Sequence, residues 1–310
     1  MKSKLLFTFL FNSFKAYIKG TINKIPLRQS NINFHTCNDT SIREEFSILS
    51  QNIDYNKFYL SYLNSDISKL NRYPDIRPYA FNQIKIRSNT KYINASSINI
   101  NKDKYFIATQ GPLKSTIEDF WALIDENNVN VIVMLCNEIE NNSEKCANYW
   151  DERNKMEKYK ISKVKEVGNA KIPQYIIREI KLFNNLTKKE SIVKQIHFVA
   201  WPDHGVPDIK EGKIFLIFDE MIKFADKNRN DNPIVVHCDA GVGRTGIFIS
   251  MYCLYKEISK QYSENEREIQ FSIFNLVRKL KEMRLYMVQT EVQYFFIYHY
   301  VYYLLTNYNK

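Results

Sequence analysis

Pro233-Ile-Val-Val-His-Cys-Asp-Ala-Gly-Val-Gly-Arg-Thr-Gly246 runs from an apolar stretch, through a glycine-rich loop, into a second apolar stretch with helical periodicity. The first stretch predicts a buried strand, and the second predicts a helix that begins near Thr245. A tight loop between a strand and a helix turns successive backbone N–H groups inward, and the helix amino terminus adds partial positive charge. The segment therefore predicts a cradle for a tetrahedral anion. It is not a nucleotide P-loop, because the lysine of that motif is absent.

Cys238 opens this loop, and Arg244 follows it. We expect the loop N–H groups and the guanidinium to lower the pKa of the Cys238 thiol well below its free value of about 8.5, which gives a thiolate at neutral pH. The planar fork of Arg244 suits two phosphate oxygens, and Thr245 can hydrogen-bond the sulfur. Most free cysteines are small buried apolar residues, and that interpretation is kept for Cys37, Cys136, Cys146 and Cys253.

A candidate general acid lies in Trp201-Pro-Asp-His-Gly-Val-Pro207. Asp203 sits on a loop braced by two prolines, with a glycine that can act as a pivot. Taken alone, an aspartate in such a loop is more often a turn former. Together with a cysteine nucleophile, Asp203 is predicted to act first as general acid and then as general base.

These two segments belong to a series that resembles the tyrosine-specific protein phosphatases over about residues 43–307. The agreement lies in many short segments that occur in the family's order. They are Arg43-Glu-Glu-Phe46, Asn71-Arg-Tyr73 with Asp75, Tyr92-Ile-Asn-Ala-Ser96, Thr109-Gln-Gly-Pro112, Glu140 with Lys145-Cys-Ala-Asn-Tyr-Trp150, Trp201–Pro207, the cysteine loop, and Gln289-Thr-Glu-Val-Gln293.

The resemblance implies a two-step hydrolysis of phosphotyrosine. Cys238 would attack phosphorus, Arg244 would bind the phosphoryl group, and Asp203 would protonate the tyrosine oxygen. A cysteinyl-phosphate would then be hydrolysed, with Asp203 as base. No metal and no organic cofactor are implied. Thr245 is implied as a further catalytic residue, through its hydrogen bond to the leaving sulfur. The other implied site residues are Gln289 and Gln293 to position water, Tyr73 to stack on the substrate ring, Asp75 to bind its backbone, Asp239, Ala240, Gly241, Val242 and Gly243 to line the phosphate cradle, and His237, Trp201, Glu140 and Lys145 as supports.

Two positions depart from the family pattern. Asp239 stands where the family usually has serine, and a carboxylate facing the pocket would raise the pKa of Cys238 and weaken phosphate binding. If Asp239 instead faces outward and caps N–H groups, the effect would be small. Tyr286 stands where several members have a small residue, so its ring is predicted to narrow the entrance against doubly phosphorylated substrates.

Three functions remain open from the sequence. The leading one is an active protein-tyrosine phosphatase. The second, motivated by Asp239, is a catalytically weak or inactive protein that binds or traps phosphotyrosine. The third, nucleic-acid binding, rests only on 44 Lys and Arg against 34 Asp and Glu, a net charge of +10. Because a solvated lysine face around an anionic-substrate site explains that charge equally well, we expect tyrosine-phosphorylated proteins and no nucleic acid as partners.

The organisation of the chain predicts one catalytic domain over residues 43–310 and an amino-terminal extension over residues 1–42. The apolar run Leu5–Phe11 is too short and too interrupted for a signal peptide, so it predicts a docking helix. The aromatic run Tyr294–Leu305 is too short to span a bilayer and predicts a buried helix. Five cysteines without a C-x-x-C pair argue against a disulfide framework and a zinc site. We therefore expect an intracellular, cytoplasmic monomer.

Apolar runs and helical periodicity together predict an α/β (α+β) fold, with a central mixed twisted sheet flanked by helices. The compact layout and the Asn- and Ile-rich composition also resemble the stand-alone tyrosine phosphatases of polydnaviruses, which implies action on host phosphoproteins in infected cells. The predicted strands are Tyr92–Ile93, Tyr105–Ala108, Asn130–Leu135, Gln174–Phe183, Ile192–Ala200 and Pro233–His237, and the predicted helices are Ile42–Gln51, Thr116–Asn127, Lys210–Asn228, Thr245–Gln261, Asn265–Arg284 and Glu291–Tyr308.

Overall fold

A computed structural model gives the structure of the chain. Three features expected from the sequence lie outside the residues it describes: the docking helix near the amino terminus, Cys37 and the candidate acid Asp203. The described residues are 25–26, 40–51, 65–87, 91–101, 104–167, 173–202, 205–210, 213–264 and 268–307.

The described elements alternate between strands and helices, and the last third is mainly helical. The strands are β1 (Ile25–Pro26), β2 (Ala95–Asn101), β3 (Lys104–Thr109), β4 (Val131–Met134), β5 (Ile139–Glu140), β6 (Ser143–Glu144), β7 (Tyr159–Glu166), β8 (Tyr175–Asn184), β9 (Lys189–Phe198), β10 (Ile234–His237) and β11 (Glu268–Ile269). The helices are α1 (Thr40–Gln51), α2 (Ser65–Ser68), α3 (Ile117–Glu126), α4 (Lys213–Asn228), α5 (Gly243–Ser263), α6 (Ile273–Met283) and α7 (Glu291–Asn307).

Among the described strands, seven form a mixed sheet in the order β2-β3-β10-β4-β9-β8-β7. The central strands β3, β10, β4 and β9 are parallel, and β10 and β4 are buried along their whole length. Strands buried on both faces read as continuous apolar runs, which is why the sequence predicted these two well.

The register of the parallel strands places the end of β10 at the centre of the sheet edge. Thr109, His237, Met134 and His197 are lateral neighbours in β3, β10, β4 and β9. Because parallel strands all end at the same edge, the loops that follow them meet there, and ligands of open α/β sheets bind at that edge. Cys238 is the first residue beyond β10.

Two of the predicted elements are wrong, and the sequence did not predict β2 and β7 of the seven-stranded sheet or the two-residue strands β1, β5, β6 and β11. Tyr92 and Ile93 precede the strand, which begins at Ala95; the buried Tyr92 hydroxyl instead donates to Asn71 Oδ1 at 2.6 Å. The helix expected from Asn265 begins only at Ile273, after the short strand β11, which pairs with β1. Edge strand β7 was missed because its sequence, YKISKVKE, is mostly polar.

The helices behind the cysteine loop are well packed. Helix α5 leaves the loop and packs against α6 and α7, and α7 is the buried carboxy-terminal helix that the aromatic run predicted. Helix α1 is tied to α7 where the buried Glu45 accepts hydrogen bonds from Tyr294, at 2.8 Å, and from Tyr298. In the described part of the chain, no helix has both the length and the apolar composition that crossing a membrane requires.

Candidate active site

The loop after β10 needs glycine at one position in particular. Gly241 has φ +72°, a left-handed conformation that side chains disfavour, and a Cβ there would lie 2.1 Å from the Thr109 carbonyl oxygen. The loop can therefore lie against the end of β3 only if this residue has no side chain. The glycine at position 241 is thus required for the loop to pack against β3.

A fully buried arginine holds the loop from behind. Arg284 donates through Nε to the Gly241 carbonyl oxygen at 2.8 Å and through Nη2 to that of Ala240 at 3.1 Å. In a trans peptide the N–H points opposite to the C=O. Binding these two carbonyl oxygens at the back therefore turns the N–H groups of Gly241 and Val242 toward the concave side, as the anion cradle requires.

Arg284 is itself tied to the neighbouring strand region. It donates to Ser96 Oγ at 3.1 Å and to Asn94 Oδ1 at 2.8 Å, and burial lowers its pKa to about 10, so it stays charged at neutral pH. Arg284 was not among the residues predicted from the sequence. An arginine between Met283 and Leu285, in an otherwise apolar stretch, was the available signal.

The sulfur of Cys238 lies at the bottom of the cradle. It accepts from the Gly241 N–H at 3.3 Å and from the Thr245 hydroxyl at 3.4 Å, and the residue is 1% exposed. The hydrogen bond expected for Thr245 is present. The other cysteines within the described residues, Cys136, Cys146 and Cys253, are buried, as expected for apolar residues.

The expected low pKa of Cys238 is corrected by the structure. Burial raises the pKa of the thiol to about 11, the Asp239 charge adds to the effect, and the Thr245 hydrogen bond and Arg244 act only partly against it. The amino terminus of α5 and the Gly241 N–H favour the thiolate. These favourable groups are visible in the sequence, whereas the desolvation of a sulfur that is almost completely buried is not.

The side chain of Asp239 faces Tyr73 and Lys145. Its Oδ2 accepts from the Tyr73 hydroxyl at 3.3 Å and lies 3.9 Å from Lys145 Nζ. Burial, followed by the Asp239 charge, raises the pKa of Tyr73. Of the two orientations left open by the sequence, the structure has the one in which the carboxylate acts on Cys238.

Arg244 is bound by a carboxylate across the site. Its Nη1 and Nη2 donate to the two carboxylate oxygens of Glu140 at 2.6 and 2.7 Å, and Nη1 also donates to the Leu135 carbonyl oxygen at 3.1 Å. The guanidinium lies 5.6 Å from the ring centroid of Trp201, which is buried. Glu140, predicted as a support, thus sets the direction of the guanidinium.

The glutamine segment closes another side of the loop. Gln293 accepts from the backbone N–H of Gln289 at 2.8 Å, and its side chain packs so closely on Gly243 that a Cβ there would lie 2.7 Å from Nε2. Gln293 is 9% exposed, whereas Gln289 is exposed. The structure therefore gives Gln293 a packing role and leaves Gln289 open to solvent.

His237 supports the start of the loop. It is fully buried, its Nδ1 lies 3.1 Å from the Cys238 carbonyl oxygen, and its Nε2 lies 2.9 Å from the Tyr149 hydroxyl. This is the hydrogen-bond support that the sequence predicted. Tyr149 is a second residue that the sequence analysis did not select, although it lies in the quoted segment Lys145–Trp150.

The structure brings most of the predicted site residues together. Asp75 is exposed near Tyr73 in sequence, and the geometry of Asp203 lies outside the described residues. Trp201, two positions before Asp203, donates through Nε1 to the Gly205 carbonyl oxygen at 3.3 Å. The residues that the described contacts place in or around the loop are Tyr73, Glu140, Lys145, Trp201, His237, Cys238, Asp239, Ala240, Gly241, Val242, Gly243, Arg244, Thr245, Gln289 and Gln293.

The family of the chain follows from its similarity to known proteins. The family model described as protein-tyrosine phosphatase matches residues 67–303. The chain therefore belongs to the protein-tyrosine phosphatase family. The catalytic domain of human protein tyrosine phosphatase non-receptor type 18 aligns with a TM-score of 0.73 and 29% identity, over 85% of this chain and 96% of that one. The predicted fold, a mixed sheet flanked by helices, is confirmed.

Particular relatives are similar over much of the chain. Tyrosine-protein phosphatase non-receptor type 20 of Rattus norvegicus is 39% identical over 274 residues, which is 87% of this chain and 62% of the relative. Tyrosine-protein phosphatase 2 of Dictyostelium discoideum is 39% identical over 208 residues, 67% of this chain and 53% of the relative. The chain thus spans about half to three fifths of the length of these curated relatives.

Proposed function

We propose that the chain hydrolyses phosphotyrosine in proteins through a cysteinyl-phosphate intermediate. The observation that carries this proposal is the loop itself: a buried Cys238 sulfur that accepts from Gly241 N–H and from Thr245, with Arg244 beside it. Backbone N–H groups, a helix amino terminus and a guanidinium together suit a phosphoryl dianion and stabilise the charge of its transition state.

In the first step, the Cys238 thiol loses its proton to water, and the thiolate forms a bond to phosphorus while the bond from phosphorus to the tyrosine oxygen breaks. Asp203 would supply the proton that the leaving oxygen takes. In the second step, water attacks phosphorus, the sulfur–phosphorus bond breaks, and Asp203 takes the proton of the water. Gln289 would orient that water, and Tyr73 would stack on the substrate ring.

The test is hydrolysis of a small aryl phosphate between pH 5 and 8. Wild type should turn over, and Cys238→Ser should lose activity completely while keeping its circular dichroism spectrum. Cys253→Ser, a change of a buried cysteine within α5, is the matched control and should stay active. A folded wild-type protein without vanadate-sensitive turnover would contradict the proposal.

Asp239 supports a second candidate function, a phosphotyrosine-binding protein with weak or no turnover. Its carboxylate faces Tyr73 and adds to the raised pKa of Cys238. This candidate predicts measurable binding of a phosphotyrosine peptide with negligible hydrolysis. Activity that appears only in Asp239→Ser would favour it over the first.

We also propose that the chain is of the polydnavirus type and acts on tyrosine-phosphorylated proteins of an infected host cell. The support is the Asn- and Ile-rich composition. Immunoblots of host cells before and after infection would test it. Appearance of the chain only after infection is expected, and its presence in uninfected cells would contradict the proposal.

A further inference from the structure

A row of polar side chains, buried from Arg178 onward, crosses the sheet toward the loop after β10. Glu166, Arg178 and Gln195 are lateral neighbours in β7, β8 and β9. Arg178 donates through Nε to Glu166 Oε1 at 2.9 Å, and the arginine side chain is only 8% exposed. Its guanidinium also lies 4.7 Å from the ring centroid of Trp150. The row therefore begins at a charged, immobilised donor in the middle of β8.

A first branch runs from Arg178 to the carbonyl group of the candidate nucleophile. Arg178 Nη1 donates to Gln195 Oε1 at 2.9 Å, and Gln195 Nε2 donates to the Tyr149 oxygen at 2.7 Å. The Tyr149 oxygen lies 2.9 Å from His237 Nε2, and His237 Nδ1 lies 3.1 Å from the Cys238 carbonyl oxygen. Gln195, Tyr149 and His237 are all buried.

The direction of every hydrogen bond in this branch follows from the arginine, because a guanidinium only donates. The carbonyl oxygen of Gln195 must face Arg178, so its NH₂ group faces Tyr149. The Tyr149 oxygen then accepts, and its own proton is left for His237 Nε2, a better and closer acceptor than the Met134 sulfur at 3.8 Å.

The proton of His237 is thereby placed on Nδ1. If the proton were on Nε2 instead, the lone pair of Nδ1 would face the Cys238 carbonyl oxygen at 3.1 Å, and two acceptors would repel each other. Both ends of the branch thus require the same tautomer. Burial lowers the pKa of His237 to about 4, so the ring is neutral at pH 7 and has a single ring proton.

A second branch starts from the same arginine nitrogen. Arg178 Nη1 lies 3.1 Å from His197 Nδ1, which must therefore accept, so the proton of His197 is on Nε2 and is donated to the Cys136 carbonyl oxygen at 2.9 Å. Burial, followed by the Arg178 charge, lowers the pKa of His197 to about 3. Cys136 follows Leu135, whose carbonyl oxygen accepts from Arg244.

We propose that Arg178 and Gln195 are positioning residues for the catalytic loop. They impose the Nδ1–H tautomer on His237 and Arg178 imposes the Nε2–H tautomer on His197, and so they hold the backbone next to Cys238 and next to Leu135. The consequence for turnover rests on the proposed function; the tautomers do not. A displaced reacting group loses about tenfold to a hundredfold in rate for a shift of up to an ångström.

The first experiment measures the tautomers in the wild-type protein. The chain has five histidines, so a long-range ¹H–¹⁵N spectrum of protein with ¹⁵N-labelled histidine can be assigned with single histidine variants. At pH 7 we expect His237 as the Nδ1–H form and His197 as the Nε2–H form, both without titration down to pH 5. An Nε2–H form of His237 in the wild-type spectrum would overturn the proposal.

The second experiment uses Gln195→Glu to reverse the direction of the hydrogen bonds between residue 195, Tyr149 and His237. The glutamate side chain has nearly the same shape as the glutamine side chain. The carboxylate still accepts from Arg178, but it now also accepts the Tyr149 proton, so His237 should change to the Nε2–H form. We expect kcat/KM for an aryl phosphate and the rate of Cys238 alkylation by iodoacetamide to change by about tenfold or more. Gln270→Glu adds the same charge near the far end of α5 and should leave all three readouts unchanged.

An unchanged His237 tautomer in folded Gln195→Glu would overturn the proposal. So would a changed tautomer with alkylation within twofold of wild type, because the loop would then not depend on it. The spectrum and the alkylation rate need no phosphatase turnover. A protein that has the expected tautomers but does not hydrolyse phosphotyrosine would therefore contradict only the proposed function.

Discussion

Arg244 and Glu140, 104 positions apart in the sequence, form a paired fork across the site, with N–O distances of 2.6 and 2.7 Å. The Glu140 side chain is 3% exposed and that of Arg244 is 13% exposed. A bidentate pair in so little solvent restricts the guanidinium to one plane and one direction. Strand β5, which has no residue in the loop, thus orients the residue that would grip the phosphoryl group.

Glu140→Gln should therefore impair both binding and stability. Only one acceptor atom would remain for two guanidinium N–H groups, and the arginine would stay buried without a counter-charge. We expect kcat/KM to fall by about tenfold to a hundredfold and the free energy of unfolding to fall by about 3–5 kcal/mol. Steady-state kinetics and urea unfolding measure the two effects.

The matched control is Asp151→Asn, which breaks an exposed bidentate pair with Arg153. That change should leave kcat/KM unaltered, because exposed pairs add little. Wild-type kinetics in Glu140→Gln would show that Arg244 does not need this partner.

Asp239→Ser should lower the pKa of Cys238. Removing the carboxylate removes the charge that, after burial, contributes most to raising that pKa. Each unit of pKa changes the thiolate fraction tenfold, so we expect alkylation of Cys238 by iodoacetamide at pH 7 to become about threefold to tenfold faster.

The measurement is the rate of Cys238 alkylation between pH 5 and 10. We expect this rate to increase at a lower pH in Asp239→Ser than in wild type. Asp75→Asn, an exposed acidic residue near Tyr73 in sequence, tests whether any loss of negative charge has the same effect. Superimposable profiles of wild type and Asp239→Ser would mean that Asp239 does not tune the nucleophile.

Tyr286→Gly should widen the specificity of the site. Tyr286 has φ +62°, is 40% exposed and lies three positions before Gln289 in the sequence, so glycine suits its backbone. We expect KM for a doubly phosphorylated peptide to fall by about threefold to tenfold, which is the size of change that one additional contact with a substrate produces. KM for the singly phosphorylated peptide should stay the same.

Tyr286→Phe keeps the ring and serves as the control, with both KM values at the wild-type level. Equal changes for the two peptides in Tyr286→Gly would exclude a role of the ring in selecting against a second phosphate.

Asp219→Asn should remove a pH dependence of stability. Asp219 is buried between α4 and α7 and accepts from Tyr303 at 3.4 Å and from Tyr300; burial raises its pKa to about 6. The unfolded chain ionises near pH 4. The folded state therefore holds the proton more tightly, and the free energy of unfolding falls as the pH rises from about 4 to about 6, then levels off.

Relative to Asp219→Asn, wild type should lose up to about 3 kcal/mol over that interval. Thermal or urea unfolding between pH 4 and 7.5 measures the difference, with the exposed Asp208→Asn as control. A difference that does not change with pH would contradict the raised pKa.

The central parallel strands, the cysteine loop and the helix after it could be predicted from local sequence. Pro233–His237 is a continuous apolar run because β10 is buried on both faces, and Gly241 is a glycine because its backbone lies against Thr109 with a left-handed conformation. Burial of a strand and a left-handed backbone are requirements of single segments, so they can be recognised from the residue types within those segments.

The boundaries of less buried elements could not be predicted in the same way. Strand β7 is an edge strand whose polar residues face solvent, so its pattern does not stand out. The helix expected from Asn265 begins only at Ile273, where Ser272 accepts from the Asn275 N–H at 3.1 Å.

The amino-acid sequence by itself determined which residues stand in the loop and which family they belong to. Only the tertiary structure decided how charge and protons are arranged around them. Desolvation of Cys238, the orientation of Asp239 toward Tyr73, the support by Arg284 and the path from Arg178 to His237 all join residues far apart in the chain. Burial and hydrogen-bond direction depend on such distant neighbours, and no local pattern records them.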